Sequence, residues 1–301
     1  MTLEQLRIFV AVAERGHMTR AAEALNLSQS AVSAAVASLE GRHAARLFDR
    51  VGRGLELSAA GRAFLPEAQG VLARAAAAER ILQDLAGLRR GSVSVYASQT
   101  VASYWLPGRL VAFKAAHPQI EVTLAVGNTA QVARAIHDGD AELGFIEGPI
   151  DDPALTLTRV GSDRLAIIGG AGLADPERLA DAPWILRERG SGTRFELEEA
   201  LRRLGVDPAA LNVVLELPSN EAVAAAVAAG GGLSALSELA AAPGLATGAL
   251  RRLAYALPER PFHAVRHRER PGGPAVEALL AGCAVSPTLP SSSRGLSGRP
   301  R

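Results

Sequence analysis

A single cysteine, Cys283, in 301 residues excludes an internal disulfide and a cysteine-built metal cluster, and no partner cysteine supports a redox role. The six histidines, His17, His43, His117, His137, His263 and His267, are scattered without ligand spacing, so no metal site and no cofactor are expected. There is no Gly-x-Ser-x-Gly elbow, phosphate loop or His-rich motif, so the chain is not expected to be an enzyme. No run of about 20 apolar residues occurs, and Glu4 and Arg7 sit in an amphipathic pattern unlike a secretory signal. A cytoplasmic protein without a membrane partner is expected. Charge of one sign is also scarce: net charge is +1, and residues 1–65 carry eight arginines against six acids. Lys114 is the only lysine. Any case for nucleic acid must therefore rest on geometry rather than on a basic field.

What is abundant is apolar sequence, 48% against 21% charged, enough for two or three folding units. Leu3, Leu6, Phe9, Val10 and Ala13 follow helical spacing, and Gly16 ends that helix. A second helix begins near Thr19, Asn26 and Leu27 turn the chain, and Ser28 caps a third. At about 100° per residue, Val32, Val36 and Leu39 fall on one side of the third helix and Ser30, Ser33, Ala34 and Ala37 on the other. A surface helix that shows hydroxyls and methyls instead of long charged side chains fits a major groove, where Ser meets base edges or phosphates and Ala a thymine methyl. Gln29 stands at its first turn. The competing reading, a helix packed on both faces, would require buried partners for Ser30 and Ser33. Leu47–Arg50 and Leu55–Ser58 flank Val51-Gly52-Arg53-Gly54 as a hairpin, a wing from which Arg50 and Arg53 reach phosphate or the minor groove.

From Gly61 to about Leu88, Phe64, Ala68, Val71, Ala75, Ala78, Leu82 and Leu85 recur at heptad spacing. Such a seam needs a partner helix, either a second copy of the chain or this chain's own domain. Arg89-Arg90-Gly91 reads as a flexible joint. Beyond it strands and helices alternate as an α/β arrangement with parallel sheets. The strands are expected at Ser92–Ala97, Glu121–Val126, Glu142–Ile146, Leu165–Ile168, Trp184–Leu186, Val213–Leu217 and Phe262–Arg266. Two crossings, near Val160 and near Val265, divide this unit into two lobes facing a cleft. Ser98-Gln99-Thr100, Ser191-Gly192-Thr193-Arg194 and Ser219-Asn220-Glu221 each lie between a strand and a helix on that cleft, with Asn128 and Thr129 beside them. Hydroxyls and free amides at helix starts suit a small anion, though each could be a plain cap. Glu147 and Glu221 oppose an anion unless Arg194 or another cation neutralises them.

Residues 2–65 resemble the winged helix-turn-helix of the LysR-type transcriptional regulators. The likeness is carried by Leu6, Phe9, Thr19-Arg20-Ala21-Ala22, Leu25, Ser28–Ser33, Leu39-Glu40, Leu47-Phe48, Arg50 and Ser58–Gly61. Where that family usually ends the recognition helix with Leu-Gly, this chain has His43 and Ala44. The second half resembles the family's periplasmic-binding-protein-like effector domain. Its runs Ala97–Thr100, Val126–Thr129, Glu147-Gly148-Pro149 and Gly190–Arg194 look most like the sulfur-assimilation and sulfite-responsive subgroup, with the carbon-fixation regulators a near neighbour. The resemblance implies a winged helix-turn-helix over 1–60 with Arg20 among its DNA contacts, a dimerisation helix over 61–90, and an effector domain over 91–286. Lobe I would comprise 91–160 and 266–286, lobe II 161–265, and the Ser- and Pro-rich tail 287–301 would be disordered. The expected partners are a pseudo-palindromic double-stranded operator, a second copy (dimer or tetramer), a small oxyanion or small metabolic acid as effector, and RNA polymerase as a candidate contact. The alternative is a solute-binding protein with no direct DNA role.

Overall fold

The computed structural model describes residues 1–51, 54–84, 91–174 and 176–284. The heptad position Leu85, the wing-tip Arg53, the joint residues Arg89 and Arg90 and the tail from Pro287 lie outside them.

Thr2 caps α1 (Leu3–Arg15) through a reciprocal capping box with Gln5, and Gly16 closes it in the left-handed conformation. Helices α2 (Met18–Leu25) and α3 (Gln29–His43) follow, joined through Asn26 at φ 54°. Leu6, Phe9, Val12, Val32, Val36 and Leu39 interlock as one core. Strands β1 (Phe48–Val51) and β2 (Gly54–Leu57) pair antiparallel as the expected wing. Glu40 ties that wing to α3, its Oε1 accepting from the amides of Leu47 (2.7 Å) and Phe48 (3.2 Å).

The long helix α4 (Ala59–Asp84) starts tightly against the wing: a Cβ at Gly61 would stand 2.1 Å from the Leu47 carbonyl oxygen. Its heptad seam is not a single face for a second copy. Ala68 is buried in the head's core, and the Phe64 ring lies 5.1 Å from that of Phe9. Those two positions are used within the chain. Val71 and Ala78 are exposed, Ala75 is half-buried, and Leu82 lies further along the same helix.

Lobe I is built from β3 (Gly91–Ser98), a π-helical turn (Val101–Trp105) running into α5 (Leu106–Ala116), β4 (Ile120–Gly127), α6 (Thr129–Asp138) and β5 (Leu143–Glu147). Lobe II holds β7 (Pro183–Arg187), α7 (Gly192–Arg203), β8 (Asn212–Leu217), α8 (Asn220–Ala228), β9 (Leu233–Ser237), α9 (Glu238–Thr247) and β10 (Leu250–Arg252). Two strands serve both lobes: β6 (Leu155–Gly170) and β11 (Glu259–His267), with α10 (Pro274–Ala284) closing lobe I. Gly91 is the first residue of β3 rather than part of a joint.

The sheets are not all parallel, as the alternation had implied. β3 pairs parallel with β4 and β5, and β7 with β8 and β9, but β6 and β11 run antiparallel to their neighbours. One mixed sheet results, in the order β4-β3-β5-β11-β6-β9-β7-β8, with β10 attached to β6. The second crossing also falls earlier than expected. Phe262 and Ala264 already pack in the lobe I core beside Val95, Phe145 and Cys283, so lobe I regains the chain before residue 266. Burial pushes the Cys283 thiol up to about 11, which leaves it protonated and unreactive. Among the described residues, no helix is long and apolar enough to cross a membrane.

Candidate DNA interface and effector seam

On α3, Val32, Val36 and Leu39 are buried, while Ser28, Gln29, Ser30, Ala34 and Ala37 are exposed and Ser33 is half-exposed. The helix therefore packs on one face only. Ser28 accepts from the Ala31 amide at 3.2 Å and shares a 3.0 Å bond with Ser30, and Gln29 Nε2 donates to Ser33 Oγ at 2.9 Å. These bonds hold the polar side chains in place before any ligand arrives. Gln29, Ser33 and Ala37 line a groove of about 610 Å³ whose opposite wall is the wing, with Arg50 and Arg46 on it. Arg46 escaped the sequence reading. Arg20 is exposed on α2 but does not line this groove.

Ala44 takes the left-handed conformation (φ 48°, ψ 33°) and donates its amide to the Glu40 carbonyl. The helix end thus keeps the glycine geometry without the glycine, at a cost of roughly 1 kcal/mol. Ala44→Gly is expected to stabilise the DNA-binding head by about that amount, read as a higher urea midpoint with an unchanged slope.

Between the lobes, almost every expected effector residue lies on one continuous polar seam, and the seam is closed. Ser98 Oγ donates to Glu147 Oε2, and Thr193 Oγ1 donates to Glu147 Oε1 at 3.4 Å. Thr129 Oγ1 donates to the Glu147 carbonyl at 2.6 Å. Gly192 abuts that same carbonyl so closely that a Cβ there would stand 1.8 Å from its oxygen. Asn128 Nδ2 reaches Glu188 at 3.2 Å, and the Ala130 amide reaches the Gly190 carbonyl at 3.3 Å. On the other flank, the Asn220 amide donates to Gln99 Oε1 at 2.7 Å, and Asn220 Nδ2 donates to Thr100 Oγ1 at 3.2 Å. Glu221 accepts from Gln99 Nε2 and from the Tyr104 hydroxyl, both at 3.1 Å. Burial and the Glu221 charge raise the Tyr104 pKa, so its hydroxyl stays a donor.

Three expected residues do otherwise. Ser191 and Ser219 are occupied as the caps of α7 and α8, accepting from the Arg194 amide at 3.4 Å and the Ala222 amide at 3.0 Å. Arg194 does not neutralise the cleft carboxylates. It is drawn away by Glu198 at 2.9 Å (one helical turn along α7) and by Glu216, and it donates to the Arg187 carbonyl at 3.0 Å.

The cations of the seam are two arginines that the sequence reading passed over. Arg260, 1% exposed, grips Asp163 through Nε at 2.5 Å and Nη2 at 2.9 Å, donates to Thr193 at 3.1 Å, and lies 3.7 Å from the Glu147 carboxylate, itself 2% exposed. Burial alone would lower the Arg260 pKa, but the bonds to Asp163 and the charges of Glu147, Asp163 and Glu196 hold it above its ordinary value. Arg187 forks onto Glu188 at 2.8 and 3.0 Å and donates to Asn220 at 2.6 Å. The available signal was a charge set into an apolar strand: Arg187 follows Trp184-Ile185-Leu186, and Arg260 precedes Phe262. Beside the closed seam, between α6 and α7, lies an open groove of about 630 Å³ lined by Thr129, Ala133, Arg134, Arg189, Gly192 and Phe195 among others. Its size suits a small molecule.

A reading head on a helical arm, followed by two lobes that meet along exchangeable polar bonds, is the architecture of ligand-controlled DNA binding. The chain belongs to the LysR family of bacterial transcriptional regulators. Residues 3–62 match the bacterial regulatory helix-turn-helix protein model of the lysR family, and residues 86–284 match the LysR substrate binding domain. The chain is 36% identical to the uncharacterized HTH-type transcriptional regulator YeiE of Escherichia coli K12 over 291 residues, 94% of this chain and 97% of that one. Full-length CbnR in complex with its target DNA shares the fold, with a TM-score of 0.67, 23% identity and coverage of 94% and 99%. The regulatory domain of CcmR from Synechocystis PCC6803, solved in complex with 2-PG, matches with a TM-score of 0.58 and 25% identity over 65% of this chain and 96% of that one. The chain is thus a DNA-binding regulator with an effector domain, and not a solute-binding protein.

Proposed function

We propose that this regulator binds a pseudo-palindromic operator as a dimer or tetramer and is switched by a small oxyanion or small metabolic acid that enters between the lobes. The observation that carries this reading is the chemistry of the seam. Hydroxyls, amides and the starts of α6, α7 and α8 converge there, and the bonds that close it can be exchanged for bonds to a ligand. Arg260 answers the objection raised by Glu147 only in part, because its single positive charge is shared between Glu147 and Asp163, and the hydroxyls of Ser98 and Thr193 supply the rest of the compensation. The CcmR complex supports a small ligand in a domain of this fold.

Within the family, the runs around Ser98, Asn128, Glu147 and Ser191 support the sulfur-assimilation and sulfite-responsive subgroup. The protein works in the cytoplasm, is not an enzyme, and contacts RNA polymerase at its promoters. Self-association is supported by apolar side chains exposed at the two edges of the sheet: Val111 on α5 beside β4, 72% exposed, and Val213, Val214 and Leu215 on β8. Calorimetry and thermal melting of the full chain with sulfite, sulfate, thiosulfate and phosphate test the effector class. At least one should give heat and a raised midpoint, and silence from all four would remove the oxyanion.

A further inference from the structure

Helix α6 touches both the partner lobe and the arm of the reading head, one at each end. At its start, Asn128 bonds Glu188 of lobe II, the Ala130 amide bonds the Gly190 carbonyl, and Gly192 rests against Thr129. At its finish, Gly139 takes φ +87° and lies under Ala73 of α4, where a Cβ on the glycine would stand 2.3 Å from the Ala73 Cβ. Only glycine permits both that turn and that approach. Arg74 Nη1, the next residue on α4, donates to the Glu269 carbonyl at 2.5 Å. Neighbouring Arg270 donates to the Ile136 carbonyl at 3.3 Å and to that of His137, gripping the last turn of α6.

The body between these ends is stiff. A capping box of Asn128 and Gln131 closes one end, a left-handed glycine closes the other, and Val132, Ala135 and Ile136 are buried against the sheet. The helix is about 15 Å long at 1.5 Å per residue. On α4, Ala68 is embedded in the head's core and Ala73 lies under α6, about 7.5 Å apart on one rod. Lobe II, α6, α4 and the head therefore form an unbroken series of rigid contacts.

We infer that α6 is the coupling rod between lobe closure and the reading head: bonds at Asn128–Ala130 set its attitude, and the Gly139–Ala73 contact passes that attitude to α4. This rests on the proposal that effector binding alters lobe closure, and it names the route. A ligand that changes the bonds at the start of α6 thereby changes how the head is held. Its leverage is limited to the difference in its affinity for the two arrangements.

The route can be tested without knowing the effector, using a DNA fragment that the wild-type full chain selects from a random pool. Its Kd is measured for the wild type, for Asn128→Ala, for Arg74→Ala and for Ala73→Leu, and for Asn128→Ala combined with each α4 variant. Melting curves show that each variant is folded, and Arg74, exposed on α4, can be truncated without disturbing a core. Asn128→Ala is expected to shift the Kd about fivefold in the wild type and much less once the α4 contact has been altered. The inference is overturned if Asn128→Ala leaves the Kd unchanged, or if it shifts the Kd by the same factor in every background. Failure of the wild type to select any sequence would instead count against the DNA-binding reading itself.

Discussion

Arg260→Ala is expected to lower the thermal midpoint of the two-lobed domain by roughly 10 °C, the equivalent of about 3–5 kcal/mol. The guanidinium is not one partner of a simple pair. It faces Asp163 directly across the two crossing strands and also reaches Thr193 of lobe II and Glu147 of lobe I. Truncation leaves two buried carboxylates without their cation, and that residual charge, more than the lost attraction, sets the cost. The loss should depend on pH in a definite direction. Burial already raises the Glu196 carboxyl, and Arg260 pulls it back down. Without Arg260 its folded pKa rises further above the unfolded value, so the folded state takes up protons and loses stability as pH rises through that range. The deficit of the variant relative to wild type should therefore be smaller at pH 5 than at pH 8, as followed by calorimetric melting. A deficit that is flat across that range would mean that the cluster is held together by packing rather than by charge.

That cluster also marks where the sequence stopped being legible. The reading head could be foreseen almost residue by residue because its signals are local: a Ser cap, three apolar positions at helical spacing, and glycines in a short hairpin. The hydroxyl and amide residues of the seam were accessible for a similar reason, since each stands between a strand and the helix it opens. Asp163 and Arg260 meet across 97 positions of sequence, and no periodicity encodes that. The direction of β6 and β11 was hidden in the same way, because alternating strands and helices suggest parallel pairing unless a strand is known to cross between lobes. The run Leu233–Ser237 is wholly buried and so lacks alternation, and α9 after it carries Pro243 inside the helix. Arg194 is the opposite case. It matched the family's run, yet Glu198 four residues on was already the better partner. The heptad pattern of α4 marked Phe64 and Ala68 as inward-facing, but Val71 and Ala78 on the same seam are exposed, and the pattern could not say what the buried positions pack against. Phe64 and Ala68 turned out to face the head and Ala73 to face lobe I.

Ala37→Glu is expected to weaken operator binding on the order of 100-fold or more while leaving the thermal midpoint within a degree or so. Ala37 is exposed on α3, one helical turn beyond Ser33, and lines the groove that faces Arg50 across the wing. It stands outside the apolar core of the head, and glutamate is a good helix former, so folding should not notice the change. DNA should notice it twice. The longer side chain prevents α3 from seating as deeply, and its charge sits among acceptor-rich base edges and phosphates. Arg50→Ala is the necessary contrast. Losing one phosphate contact per bound head should weaken binding to all sequences alike and reduce the slope of log K against log salt by about 0.9 for each head, or about 1.8 for a dimer. Titrating both variants against matched and scrambled operator fragments at several salt concentrations separates the two effects. If Ala37→Glu merely reproduced the uniform, salt-sensitive loss expected of Arg50→Ala, the small face of α3 would be lying along the backbone instead of in the groove. Eight arginines against six acids in residues 1–65 make that distinction decisive, because a head with so little positive field depends on how closely α3 fits the bases.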